Sequence, residues 1–119
     1  MNRLMEPIKI KLRYDHLLAV RNYLTYAQWR ANNAKAQAHE ELIVLAEHQP
    51  MIERRCKVLE TKDHRKSYPC SFPLSVARIL HRRWQHEVIS DSLRLVLGGI
   101  DLELTNREMK PDTLKYMIV

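Results

Sequence analysis

The sequence predicts an α+β fold. A long, kinked N-terminal helix and a second, shorter helix pack on a small, mostly antiparallel sheet, made from an N-terminal strand, a C-terminal hairpin and a possible last strand. Three observations point that way. Residues 15–49 hold no Gly and no Pro and repeat apolar side chains every three or four positions. Ile8, Ile10, Leu12 and Tyr14 alternate with Lys9, Lys11 and Arg13. Leu93, Leu95 and Leu97 alternate before Gly98-Gly99, and Ile100, Leu102 and Leu104 alternate after it.

The first strand follows from its period of two, which makes one face apolar and the other basic. Pro7 stands at its mouth, where a missing N–H does least harm. Its outward lysines also guard an exposed edge against unwanted pairing.

The long helix starts at Asp15, whose carboxylate suits the positive end of a helix. Leu17, Val20, Leu24, Ala27, Ala31, Ala34, Ala38, Leu42 and Leu45 keep one stripe on one face. Its middle is alanine, so a second helix, from this chain or a copy of it, is expected to lie close against residues 27–38. That expectation names Ala27, Ala31, Ala34 and Ala38 as interface residues. Tyr23, Tyr26 and Trp29 flank the stripe, and core packing is the favoured role for them. The sharper alternative is a stacking platform for nucleic-acid bases, helped by Arg21 and Arg30.

Pro50 removes a backbone bond, so a kink or a break is expected there. The apolar spacing resumes at Ile52, Cys56 and Leu59, which favours a kinked continuation or a tight elbow. Thr61 to Ser67 reads as loop. Pro69 and Pro73 push Tyr68 to Phe72 toward extended geometry. A second helix starts near Pro73 or Leu74, buries Val76, Ala77, Leu80, Trp84 and Val88, and ends near Ile89 or Ser90.

The Gly-Gly pair between alternating runs is a hairpin signature, because tight hairpin turns need positive φ. The register sets Leu97 opposite Ile100, Leu95 opposite Leu102, and Arg94 opposite Glu103. The competing reading is a helix from Asp91 to Leu97 ended by Gly98. Thr113 to Val119 is β-prone and forms the possible last strand.

At 119 residues, 45% apolar and 29% charged, the chain reads as a single globular domain. No apolar run has signal-peptide or membrane-helix length. Cys56 and Cys70 form no C-x-x-C motif, so a reduced, cytoplasmic protein with two free thiols is expected.

Motifs for chemistry are sparse. No two of the six histidines are four apart, and Cys56, His64, Cys70 and His81 lack the short paired spacing of structural zinc. Two glycines cannot supply a phosphate loop or a dinucleotide fingerprint. Cys70, between two prolines and near cations, is the one residue with a case for reactivity. No catalytic residue, metal or cofactor is therefore assigned, and the chain reads as a non-enzymatic protein.

Charge gives a second direction. The net charge is +6, and residues 61–86 hold six Lys/Arg against one Asp. Lys62, Arg65, Lys66, Arg78, Arg82 and Arg83 are candidates for one phosphate-binding patch on DNA or RNA. A helix followed by a hairpin is the order of a winged helix. Here, however, the tip is Gly-Gly followed by Asp101 and Glu103, which lacks the cations of a DNA-contacting wing. The favoured expectation is a protein that self-associates or docks on a protein partner through the alanine stripe and an open strand edge. Nucleic-acid binding is the alternative.

Overall fold

The computed structural model describes residues 6–33 and 40–109. The elements run β1 (Ile8–Leu12), α1 (Tyr14–Asn33), α2 (Glu40–Glu60), β2 (Tyr68–Phe72), α3 (Leu74–Trp84) and α4 (Asp91–Met109). The α+β class holds: helices pack around a small antiparallel sheet.

β1 and β2 form an antiparallel ribbon in which Ile8 faces Phe72, Ile10 faces Cys70 and Leu12 faces Tyr68. Ile8, Leu12, Cys70 and Phe72 are buried on one face, while Lys9, Lys11, Pro69 and Ser71 are exposed on the other. The extended preference around Pro69 is thus used as a strand. Among the described residues, β1's strand partner is this segment.

The stretch expected as one long helix is two helices lying side by side. Arg21 Nη1 reaches Glu53 Oε2 at 3.4 Å, and Gln49 Nε2 donates to Thr25 Oγ1 at 3.2 Å. Four residues forward along α1 match four residues back along α2, so the pair is antiparallel. A straight helix would hold Thr25 and Gln49 about 36 Å apart at ~1.5 Å per residue, so α1 and α2 are separate helices running in opposite directions. Asn33 Nδ2 donates to the Trp29 carbonyl one turn back, at 2.8 Å. Glu40 and Glu41 then place negative charge at the start of α2. α2 carries on through Pro50, which is exposed, with Gln49 and Ile52 buried on the opposite side.

α3 starts after Pro73, whose carbonyl accepts from Ala77 N at 2.9 Å. It buries Val76, Ala77, Leu80 and Trp84 as expected. It stops at Trp84, five or six residues short of the expected end, in a turn closed by His86 N to Arg83 O at 3.0 Å. Val88, expected in the core, is consequently 100% exposed.

The C-terminal hairpin is corrected to α4. Ser90 caps it: Leu93 N donates to Ser90 Oγ at 3.3 Å and Arg94 N to Ser90 O at 2.9 Å. Leu93, Val96, Leu97, Ile100 and Leu104 step by three and four and turn into the core. Gly99 serves a close approach rather than a turn, since a Cβ there would come within 2.9 Å of Ile10 Cγ2 on β1. Arg107 extends the same seam by donating to the Glu6 and Pro7 carbonyls, the latter at 2.6 Å. The possible last strand at 113–119 lies outside the described residues.

One buried cluster draws on every element, with Trp84, Phe72, Ile8, Leu17, Leu45 and Ile100 among its largest members. Each such side chain contributes about 1.5–3 kcal/mol by leaving water.

Candidate interaction surface

The described half of the alanine stripe packs inside the chain. Ala27 is 1% exposed and Ala31 packs on the core, on the face that α1 turns to its neighbours. The helix expected against it is α2. Ala34 and Ala38 lie outside the described residues.

The flanking aromatics behave differently from one another. Tyr23 is partly buried, edge-on to Trp84 with ring centres 5.4 Å apart, and its hydroxyl donates to the Glu87 carboxylate at 2.8 Å. Burial, reinforced by that carboxylate, pushes the phenol up to about 12, so it stays a proton donor. Tyr26 and Trp29, expected in the core, are 53% and 62% exposed. Their rings lie 6.4 Å apart and 19° from parallel, and the Arg30 guanidinium sits 5.8 Å from the Tyr26 ring centre. They form an aromatic ledge along the outer side of α1.

Beside the ledge is a groove of about 400 Å³. Ala19, Tyr23 and Tyr26 line one wall, and Val88, Ile89 and Leu93 line the other. The Tyr23–Glu87 bond ties the two walls together. Glu87 is held in turn by Arg83 Nε at 3.8 Å. An exposed aromatic knob and an apolar groove thus lie side by side on one face.

The six basic candidates are not gathered into one patch. Arg83 Nη1 binds Glu41 Oε1 at 3.0 Å, and Arg82 reaches the same carboxylate, at the start of α2. Lys62, Arg65 and Lys66 follow the other end of α2, about 30 Å away along its axis. Arg65 is paired with Asp63 at 3.3 Å, and Lys62 stands 5.7 Å from the Tyr68 ring centre. Arg78 is exposed on α3. The sequence cluster is therefore divided between two ends of the molecule, and Glu41 neutralises part of it.

Cys70, expected in a loop, is a buried strand residue, 2% exposed. Burial raises its pKa more than the Arg55 guanidinium lowers it. It lines a cavity of about 260 Å³ with His48, Arg55 and Ser71. Its Sγ contacts the Tyr68 carbonyl at 3.6 Å, and no hydrogen bond among the described residues joins it to His48. Neither a thiolate nor a thiol–imidazole pair is prepared there. Cys56 is likewise buried, its thiol pushed up to about 11, mainly by burial. Among the described residues, no group of three or more His, Cys, Asp or Glu could hold a metal ion. No helix among them is long and apolar enough to cross a membrane.

Comparison with known proteins finds no matching family model, no similar curated protein and no similar solved structure.

Proposed function

We propose that this is a non-enzymatic protein that works by self-association, with the aromatic ledge of one copy filling the groove of another. The observation that carries the reading is the exposed Tyr26–Trp29 pair beside the groove walled by Val88 and Leu93. A two-fold interface uses the same patch on both copies, so it needs a projection and a matching recess on one face. Tyr and Trp are also the side chains that most often dominate association energy when an interface buries them. Ala27 and Ala31 are packed within the chain and so are not offered as the contact. Two unpaired, buried cysteines fit a reducing compartment, and the proposal includes the cytoplasm as its location.

Sedimentation tests this over low to high micromolar concentration. A concentration-dependent dimer is expected, and Tyr26→Ser with Trp29→Ser should weaken it by at least about 30-fold, the scale of a 2 kcal/mol contact. Both side chains are exposed, so the variant should keep the wild-type fold by circular dichroism. A strict monomer, or a dimer indifferent to the pair, would contradict the reading.

A second reading rests on Arg30 beside near-parallel rings, an arrangement that also suits stacked single-stranded bases. It requires oligonucleotide binding that weakens steeply with salt, with Lys62 and Lys66 as further phosphate contacts.

A further inference from the structure

The ribbon has two outer edges, and they are not equivalent. Antiparallel ladders alternate pairs that exchange backbone hydrogen bonds with pairs that exchange none. Pro69 faces Lys11 and has no N–H, so that pair is of the second kind. Lys9 with Ser71, two residues along, is of the same kind. The Pro69 carbonyl accordingly points away from β1, and there it accepts from Arg55 Nη2 at 2.9 Å. On β2, then, one outward donor is missing and one outward acceptor is taken.

Among the described residues, β1 is the open side. By the same parity, the N–H and C=O groups of Lys9 and Lys11 point outward, and among the described residues none has a backbone partner outside the ladder. Arg107 takes the outward carbonyl of Pro7 and so marks where the free edge begins. Both lysine side chains are exposed on the outer face, across from uncharged Ser71 and Pro69. The ion pairs among the described residues engage arginines and histidines and leave these two lysines out.

We propose that the outer edge of β1 takes an extended acidic peptide as a third strand, with alternate carboxylates lying against Lys9 and Lys11. Main-chain bonds to a sheet edge supply affinity, and side chains at every second position supply selection. Two lysines on an edge repel a basic strand and discourage a neutral one. The same charges favour a strand carrying Glu at alternate positions, because opposite charges directly across a ladder attract. This face is distinct from the α1 ledge, so failure of either proposal leaves the other intact.

The probe is a labelled, capped peptide of alternating Glu and Thr, titrated into the full chain, with backbone hydrogen exchange read in parallel. Binding is expected to slow exchange at the Lys9 and Lys11 amides at least tenfold. Lys9→Glu with Lys11→Glu, both at exposed positions, is expected to weaken binding at least tenfold while leaving the circular dichroism spectrum unchanged. A Glu-Thr peptide N-methylated at every backbone nitrogen keeps the charge but has no N–H to donate to the ladder, and it is expected not to bind. Equal binding of that peptide would reduce the effect to charge alone and overturn the proposal. So would protection of both amides before peptide is added, which would mean the edge is already occupied. No binding of the Glu-Thr peptide at millimolar concentration would overturn it as well.

Discussion

His48 is a buried histidine whose Nε2 has no hydrogen-bond partner, set beside Phe72 with ring centres 6.2 Å apart. Burial lowers its pKa, so the folded protein holds the ring neutral. The unfolded chain takes up a proton near pH ~6.5, the ordinary value. Below that, the unfolded state binds more protons than the folded state, and stability falls with pH until the lowered native pKa is reached. The His48 contribution is fully present above about pH 6.5 and shrinks as the solution is acidified. Urea unfolding at pH 7.5 and pH 5 should show this loss in the wild type and a smaller one in His48→Leu; equal losses would remove His48 as the cause. The sequence lists six histidines and cannot rank them. Only the packing of α2 against β2 separates His48 from exposed His86. Cys70 teaches the same point. Neighbouring prolines and cations suggested an accessible loop, but Pro69 lies within a strand that carries the thiol inward.

At the level of elements, α4 shows why alternation misleads. Residues 93–104 satisfy a period of two and also steps of three and four, because leucine recurs so often that both patterns fit. Two signals for the helix are present in the sequence: Ser90 before Asp91 as a cap, and the apolar series Leu93, Val96, Leu97, Ile100, Leu104. The two glycines then make opposite predictions. Gly98 has nothing within 4 Å of a would-be Cβ, so Gly98→Ala should stabilise by up to about 1 kcal/mol through helix propensity. Gly99→Ala drives a methyl into Ile10 Cγ2, attached to a stiff branched carbon. Overpacking of this kind costs about 1–3 kcal/mol, so a net loss of stability is expected despite the better propensity. Thermal unfolding of the two variants reads both signs. A hairpin turn would be damaged by both substitutions, so a destabilised Gly98→Ala would reopen the assignment. The reversal between α1 and α2 was harder to see. Residues 34–39 read Ala-Lys-Ala-Gln-Ala-His, good helix formers without Gly or Pro, and the available cues are Asn32-Asn33 before them and Glu40-Glu41 after. β1, the start of α3 and the inward face of α3 were legible because each rests on one unambiguous pattern.

For the molecule as a whole, the antiparallel pairing of α1 and α2 decides which surfaces are left over. It consumes Ala27, turns Tyr26 and Trp29 outward, and leaves the early stop of α3 to expose Val88 beside them. None of that could be read from residue order, because it depends on which helix covers which stripe. The divided basic block has the same origin. Six cations lie close in sequence, but α2 separates the Glu41-bound arginines from the 62–66 loop by its own length. Self-association through the ledge is the central claim, and the two tryptophans report on it directly. Trp84 is 2% exposed and Trp29 is 62% exposed, so acrylamide can quench only Trp29 efficiently in the monomer. Quenching measured across low to high micromolar protein should weaken as concentration rises, because association covers Trp29. Undiminished quenching at concentrations where sedimentation shows a dimer would mean that the copies meet elsewhere, and the ledge would lose its role.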